Sequence, residues 1–424
     1  MRRVRDRRGF LRAGAVACLA GLAGCLGGSD DEPTETEVDV AAGDPDERAD
    51  WPTFQFDARN TGHAPGQGPT DDVEARWTFS TGEMVYSSPA VVDGVVYVGS
   101  QDGNLYAVGA DDGEERWRFR TGDAVTSSPA VVDGVVYVGS QDGNVYAVGA
   151  DDGEERWHFE TGEMVPGSPT VVDGVVYVGS SDNHLYALDA EEGDERGAFE
   201  TGGTIQRAPA VADGTVYVAS GDQSVYAVDV EDLEAEGDDE DEGDDGDDED
   251  EAGVEARWEV ATGDMIQSRP TVVDGVVYVG SNDDTVYAID ADSGDVRWTF
   301  LTEGSVVSSP AVADGVVYVG SFDTNLYALS TDLEEAEAAD EPGNPETHYW
   351  SSSGFGQVRS SPALVGDTIY VGNEDSYVYG LSARDGEVRW RYSTDGGVAS
   401  SPAVVDGVVY VGSTDGTLYA LEES

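Results

Sequence analysis

Three arginines interrupt an otherwise uniform pattern, and they are the residues of this sequence best suited to chemistry. Eight prolines, Pro89, Pro129, Pro169, Pro209, Pro270, Pro310, Pro362 and Pro402, each close a short run that is mostly Ser-Ser. Arg207 and Arg269 replace residues within two of those runs, and Arg359 stands one place earlier in a third. Arginine offers five N–H donors in a fixed fork that matches a carboxylate. If the three converge, they form a pocket for a small anionic ligand or an acidic peptide. The simpler account, which the sequence alone favours, is that each pairs locally with the abundant Asp and Glu. His184 and Phe322 break the pattern in nearby loops that should reach the same face.

Other chemistry finds no support. His63, His158, His184 and His348 are scattered without metal-ligand spacing. Nothing resembles a nucleophile beside a base. Cys18 and Cys25 are the two cysteines and both precede the repeats, so the folded part has no thiol chemistry. Asp-Gly-Asn loops such as 102–104 lack the spaced ligand run of a calcium loop and read as turns. No catalytic residue, metal or cofactor is expected.

The elements that carry the arginines follow from an internal repeat. SSPAVVDGVVYVGSQDGNLYAVGADDGEERWRF at 87–119 recurs almost unchanged at 127–159, and the prolines mark eight copies spaced 40, 40, 40, 61, 40, 52 and 40 residues apart. Each copy divides into four short Val/Tyr/Trp-rich strands bounded by Gly and Asp, with Asp93-Gly94 the pair a type I′ hairpin turn requires. Short antiparallel strands in fours predict an all-β, eight-bladed propeller over 73–424. The last copy lacks a fourth strand, and a surplus one, VEARWTFST (73–81), precedes the first. Pairing the two closes the ring and removes its exposed edges. The innermost strands line a channel, and their starts, where the arginines sit, open at its mouth.

The spacing Ala107-x5-Gly113-x3-Trp117, repeated at Ala147-Gly153-Trp157 and Ala288-Gly294-Trp298, resembles the tryptophan-docking motif of PQQ-type propellers. That family includes quinoprotein alcohol dehydrogenases and the assembly lipoprotein BamB. WPTFQFDARNTGHAPG (51–66) is similar to the segment that precedes the ring in such proteins, and 51–72 is read that way here. The resemblance implies that Trp77, Trp117, Trp157, Trp258, Trp298 and Trp390 pack between neighbouring blades. An insert obscures the register of Trp350. Gly197 stands where the third copy should have its Trp, so the contact between blades 3 and 4 is expected to be the weakest. Gly380 replaces the motif Ala in the seventh copy.

The resemblance also raises a PQQ-dependent dehydrogenase as the alternative function. Those enzymes carry an adjacent Cys-Cys pair over the quinone, a calcium site of Glu and Asn type, and a catalytic Asp. None of these can be matched to a position here. The favoured reading is a non-catalytic scaffold for a protein partner or ligand.

Formal charge is −65, and all 22 basic residues are arginine. Such a charge would drive self-repulsion in dilute buffer, but at molar salt the screening length falls to about 3 Å. The surface resembles that of proteins from extremely halophilic archaea. Nucleic acid is excluded as a partner by the lack of clustered positive charge, and a monomer is expected. The acidic stretch 231–253 reads as a disordered insert, with a second insert at 331–347.

Residues 1–24 read as an export signal, with Arg7-Arg8-Gly9-Phe10-Leu11 of twin-arginine type and an apolar run too short to span a bilayer. Leu22-Ala23-Gly24-Cys25 resembles a lipobox, which makes Cys25 the lipidation site and 25–50 a flexible acidic tether. The expected location is the outer face of the cytoplasmic membrane.

Overall fold

The structure, a computed structural model, describes residues 50–235, 254–332 and 348–424. The export signal, Cys25, the tether up to residue 49 and most of both inserts lie outside the described residues.

Eight four-stranded antiparallel blades form the ring, seven of them from four consecutive strands and the eighth from three consecutive strands and one that precedes the first blade. In the first blade these are Ala90–Val92, Val95–Gly99, Asn104–Gly109 and Glu115–Arg120. The first turn is set by Asp93 and Gly94, whose φ angles of 50° and 74° give the two left-handed residues a type I′ turn needs. Alternating strand residues face neighbouring blades, so Val96, Val98, Leu105 and Ala107 are fully buried. The eighth blade is completed as expected. Strand Val73–Ser80 pairs antiparallel with Thr417–Glu423, from Val73 opposite Glu423 to Ser80 opposite Thr417.

The tryptophans explain how blades adhere. Trp77, Trp117, Trp157 and Trp258 each donate Nε1–H to the backbone carbonyl of the residue 33 places later, at 2.8–3.0 Å. Trp298 and Trp350 do the same at 3.1 Å, which fixes the register of Trp350 as a docking residue. Glycine is required beneath the ring: at Gly113 a Cβ would lie 2.8 Å from the Trp77 indole, and φ there is +68°. For Trp390 the acceptor is the Pro69 carbonyl, at 2.9 Å, in place of the carbonyl 33 residues later that the other tryptophans use. Gly380 sits directly against the Trp390 indole, with no room for the usual Ala.

Between blades 3 and 4 the missing indole is replaced rather than left as a gap. A short helix, Val230–Glu234, sits against Gly197, with the Leu233 carbonyl where a side chain would begin and Leu233 itself fully buried. Glu234 accepts a 2.8 Å hydrogen bond from the Tyr177 hydroxyl and lies 3.5 Å from Arg196. The start of the stretch read as a solvated insert is therefore packed structure, because an apolar slot was open to receive its one leucine. Residues 236–253 lie outside the described residues.

The segment 51–64 does more than precede the ring. It winds across the channel, and the carbonyls of Trp51, Pro52, Ala58, Arg59, Thr61 and Gly62 accept the N–H groups of Val91, Val131, Val211, Val272, Val312 and Leu364. Six innermost strands thus satisfy an edge donor that would otherwise face an empty channel. Asn60 Nδ2 donates to the Pro209 and Pro270 carbonyls, and Gln55 Nε2 reaches Ser309, Pro310 and Pro362. His63–Ala64 adds a parallel strand to Ala363–Val365. Trp51 and Phe54 are buried within the plug.

Candidate functional site

At the open end of the channel, the repeat reveals what the mouth looks like without arginine. Two residues before the proline, Ser87, Ser127, Ser268, Ser308, Ser360 and Ser400 each accept the N–H of the glycine that ends the second strand. One residue before the proline, a serine hydroxyl accepts an N–H from the preceding blade. This belt runs Ser88 to Ser128 to Ser168, resumes from Arg269 to Ser309, Ser361 and Ser401, and returns to Ser88. Both missing links fall where blades 4 and 5 carry Ala208 and Arg269. Arg207 occupies a strand-capping position and Arg269 a belt position, so each has displaced a structural hydroxyl.

All three predicted arginines line one pocket of about 240 Å³, together with Tyr86, Gln206 and Gln267 and with Phe54 of the plug. Arg269 lies deepest, 8% exposed. Its guanidinium sits 3.2 Å over the centre of the Phe54 ring, and Nη2 donates 3.1 Å to Ser168 Oγ, bridging the broken belt. Its Nη1 has no partner, nor does Arg207 Nε. Among the described residues neither has a carboxylate within salt-bridge distance. Burial, then Arg269's neighbour Arg207, depresses the Arg269 pKa well below the guanidinium range. Burial, followed by repulsion from Arg359, brings Arg207 down to about 10.

Local pairing, the simpler expectation, holds only for Arg359, whose Nε donates 3.1 Å to Glu374. Arg359 also lies 5.1 Å over the Phe322 ring, so Phe322 belongs to the rim. His184 does not join the site. Its Nδ1 lies 3.1 Å from the Asp182 carbonyl and its ring packs 5.7 Å from Tyr186, which turns it back onto its own hairpin. Phe54 was missed from sequence: it belongs to no repeat, and only the aromatic spacing of Trp51, Phe54 and Phe56 hinted at a buried segment.

The turns that tempted a calcium reading are structurally accounted for. Asp102 accepts from the Gly82 and Asn104 N–H groups and the Tyr106 hydroxyl, at 2.7, 3.0 and 2.6 Å. Around the mouth, Met84, Met164, Met265 and Tyr86 are exposed, and with Met1 the three methionines are all that the sequence contains. The pocket lining holds no Asp, Glu, His or Cys. Such a lining can hold an anion by charge and hydrogen bonding, but it supplies no proton acceptor of a catalytic type. No helix among the described residues is long and apolar enough to cross a membrane.

The family model described as outer membrane protein assembly factor BamB matches residues 70–197, 142–236, 249–336 and 338–424. No curated protein sequence is similar to the chain. Among solved structures, BamB from Moraxella catarrhalis superposes with a TM-score of 0.65 at 19% identity, covering 82% of this chain and 97% of that one. Quinohemoprotein alcohol dehydrogenase from Comamonas testosteroni gives 0.67 at 17%, covering 88% and 80%. A europium-containing methanol dehydrogenase gives 0.68 at 12%, covering 89% and 99%. At these identities the likeness concerns the fold.

Proposed function

The chain belongs to the BamB-type family of PQQ-like β-propellers, and from that premise we propose that it is a non-catalytic scaffold, exported and held at the outer face of the cytoplasmic membrane by a lipid on Cys25. The mouth carries this reading: a pocket lining without carboxylate, imidazole or thiol, with exposed Met84, Met164 and Met265 each two residues before one of its lining residues, Tyr86, Pro166 and Gln267. Exposed methionines adapt to apolar partner surfaces, and a tether of acidic residues presents the ring to them.

The dehydrogenase alternative requires a calcium ion beside the quinone. The donor set of the mouth does not fit that ion, since calcium takes oxygen ligands rich in carboxylates and here it would meet Arg207 and Arg269 instead.

One experiment separates the readings. Photo-methionine incorporated into the full-length protein places cross-linkers on the mouth face and at Met1 alone. In high-salt membranes we expect a cross-linked protein partner, and no dye-linked alcohol oxidation after loading with quinone and calcium. Quinone-dependent oxidation, or a mouth that cross-links nothing, would overturn the scaffold.

A further inference from the structure

We propose that the channel mouth is a binding site for a single carboxylate group, held between Arg207 and Arg269. The inference rests on the non-catalytic reading above and names the ligand chemistry of its mouth.

Two cations without a carboxylate partner among the described residues, Arg269 buried and Arg207 half-buried with its Nε enclosed, are the first observation. Leaving a buried ion unpaired costs stability, and carboxylates are plentiful in a chain with 87 acids and 22 bases. Arg116, Arg156, Arg196, Arg297 and Arg389 all hold one. Among the described residues none lies beside Arg207 or Arg269. Second, these two side chains replace hydroxyls that six other blades use structurally, in adjacent blades, so the ring gives up hydrogen bonds to gather charge at one point. Third, Arg269 is fixed rather than mobile, clamped over Phe54 and to Ser168.

The unsatisfied donors define the ligand. One enclosed nitrogen without a partner on each arginine, Arg207 Nε and Arg269 Nη1, gives two donor sites, as many as a carboxylate has oxygens. A tetrahedral phosphate dianion would bring further oxygens, for which the lining offers neutral partners such as Gln206, Gln267 and Thr126, and Arg359, which already pairs with Glu374. A space of about 240 Å³ takes a carboxylate with a short stem and not a polymer. That carboxylate belongs either to a free small acid or to the end or an acidic side chain of a peptide.

The test titrates full-length protein in molar salt, at constant chloride, by calorimetry. The probes are succinate, a tripeptide ending in free aspartate, the same tripeptide as its asparagine amide, and inorganic phosphate. Succinate or the free peptide should bind saturably and the amide should not; the tighter of the two identifies the source. Arg207→Gln and Arg269→Gln should each weaken binding roughly tenfold or more. If either variant folds poorly, Arg207→Ser, which restores the repeat's own residue, should fold and still lose binding. Absence of saturable carboxylate binding, tighter binding of phosphate, or affinity unchanged in the variants would overturn the proposal. Cross-linking at the methionines can succeed while succinate fails, which would remove the carboxylate site and leave the scaffold standing. Quinone-dependent oxidation would remove the scaffold while calorimetry still reads the site.

Discussion

Deleting Val73–Ser80 should convert a ring that melts cooperatively into a chain that aggregates without a sharp transition. The strand makes the whole outer ladder of the last blade, from Val73 opposite Glu423 to Ser80 opposite Thr417. It also carries Trp77, which packs on Gly113 of the first blade and donates to the Ala110 carbonyl. Its removal therefore breaks two contacts at once: a strand pairing within one blade and the seam between the last blade and the first. Removing a packed indole alone costs about 3–5 kcal/mol, against a typical total of about 5–15 kcal/mol for a domain. The bare Thr417–Glu423 edge is then a template for pairing with other chains. Melting by circular dichroism and size-exclusion chromatography in molar salt would show the change. Adding the strand back as a synthetic peptide should recover part of the cooperative transition. A deletion variant that stays monomeric and melts like the parent would mean that the ring does not depend on this seam.

Phe54→Ala should be a costly truncation in the plug, about 3–5 kcal/mol in chemical denaturation. Phe54 is 4% exposed and forms the floor under Arg269. Its loss opens a cavity and leaves the guanidinium without the ring face that helps hold it. Phe54→Leu keeps most of the volume and loses the cation–π contact, so it should cost only about 1–2 kcal/mol. Equal stability of the alanine variant and the parent would contradict the packing described for the plug.

How much of this was legible in the sequence depends on repetition. Eight near-identical units exposed the strands, the turn at Asp93-Gly94 and the docking tryptophans, and the mismatch between the chain's ends exposed the closure. Repetition also made the exceptions visible, which is why Arg207, Arg269 and Arg359 could be placed together. The plug was not legible in that way. It is read through backbone carbonyls at irregular intervals, and backbone hydrogen bonds leave no mark on side-chain pattern. Leu233 was hidden for a related reason, a lone leucine within an acidic run whose slot exists only because Gly197 lies elsewhere. His184 was assigned by position alone, and its side chain folds back on Asp182 and Tyr186. Local pairing was the natural expectation for arginines on so acidic a chain. It fails for two of them because the pocket they line is built from serines, glutamines, a threonine and apolar residues and holds no carboxylate.

Melting the Arg207→Ser, Arg269→Ser double variant beside the parent, with and without succinate, reads most directly whether the mouth sacrifices stability to keep cations for a ligand. Serine at 269 could accept the Ala208 N–H as Ser309 accepts that of Arg269, and serine at 207 could cap its strand as Ser87 does. With two unpaired guanidiniums gone, at about 1–3 kcal/mol for each buried donor left unmade, the variant should melt higher than the parent and ignore succinate, while the parent is raised by it. A variant that melts lower than the parent and still responds to succinate would contradict the account.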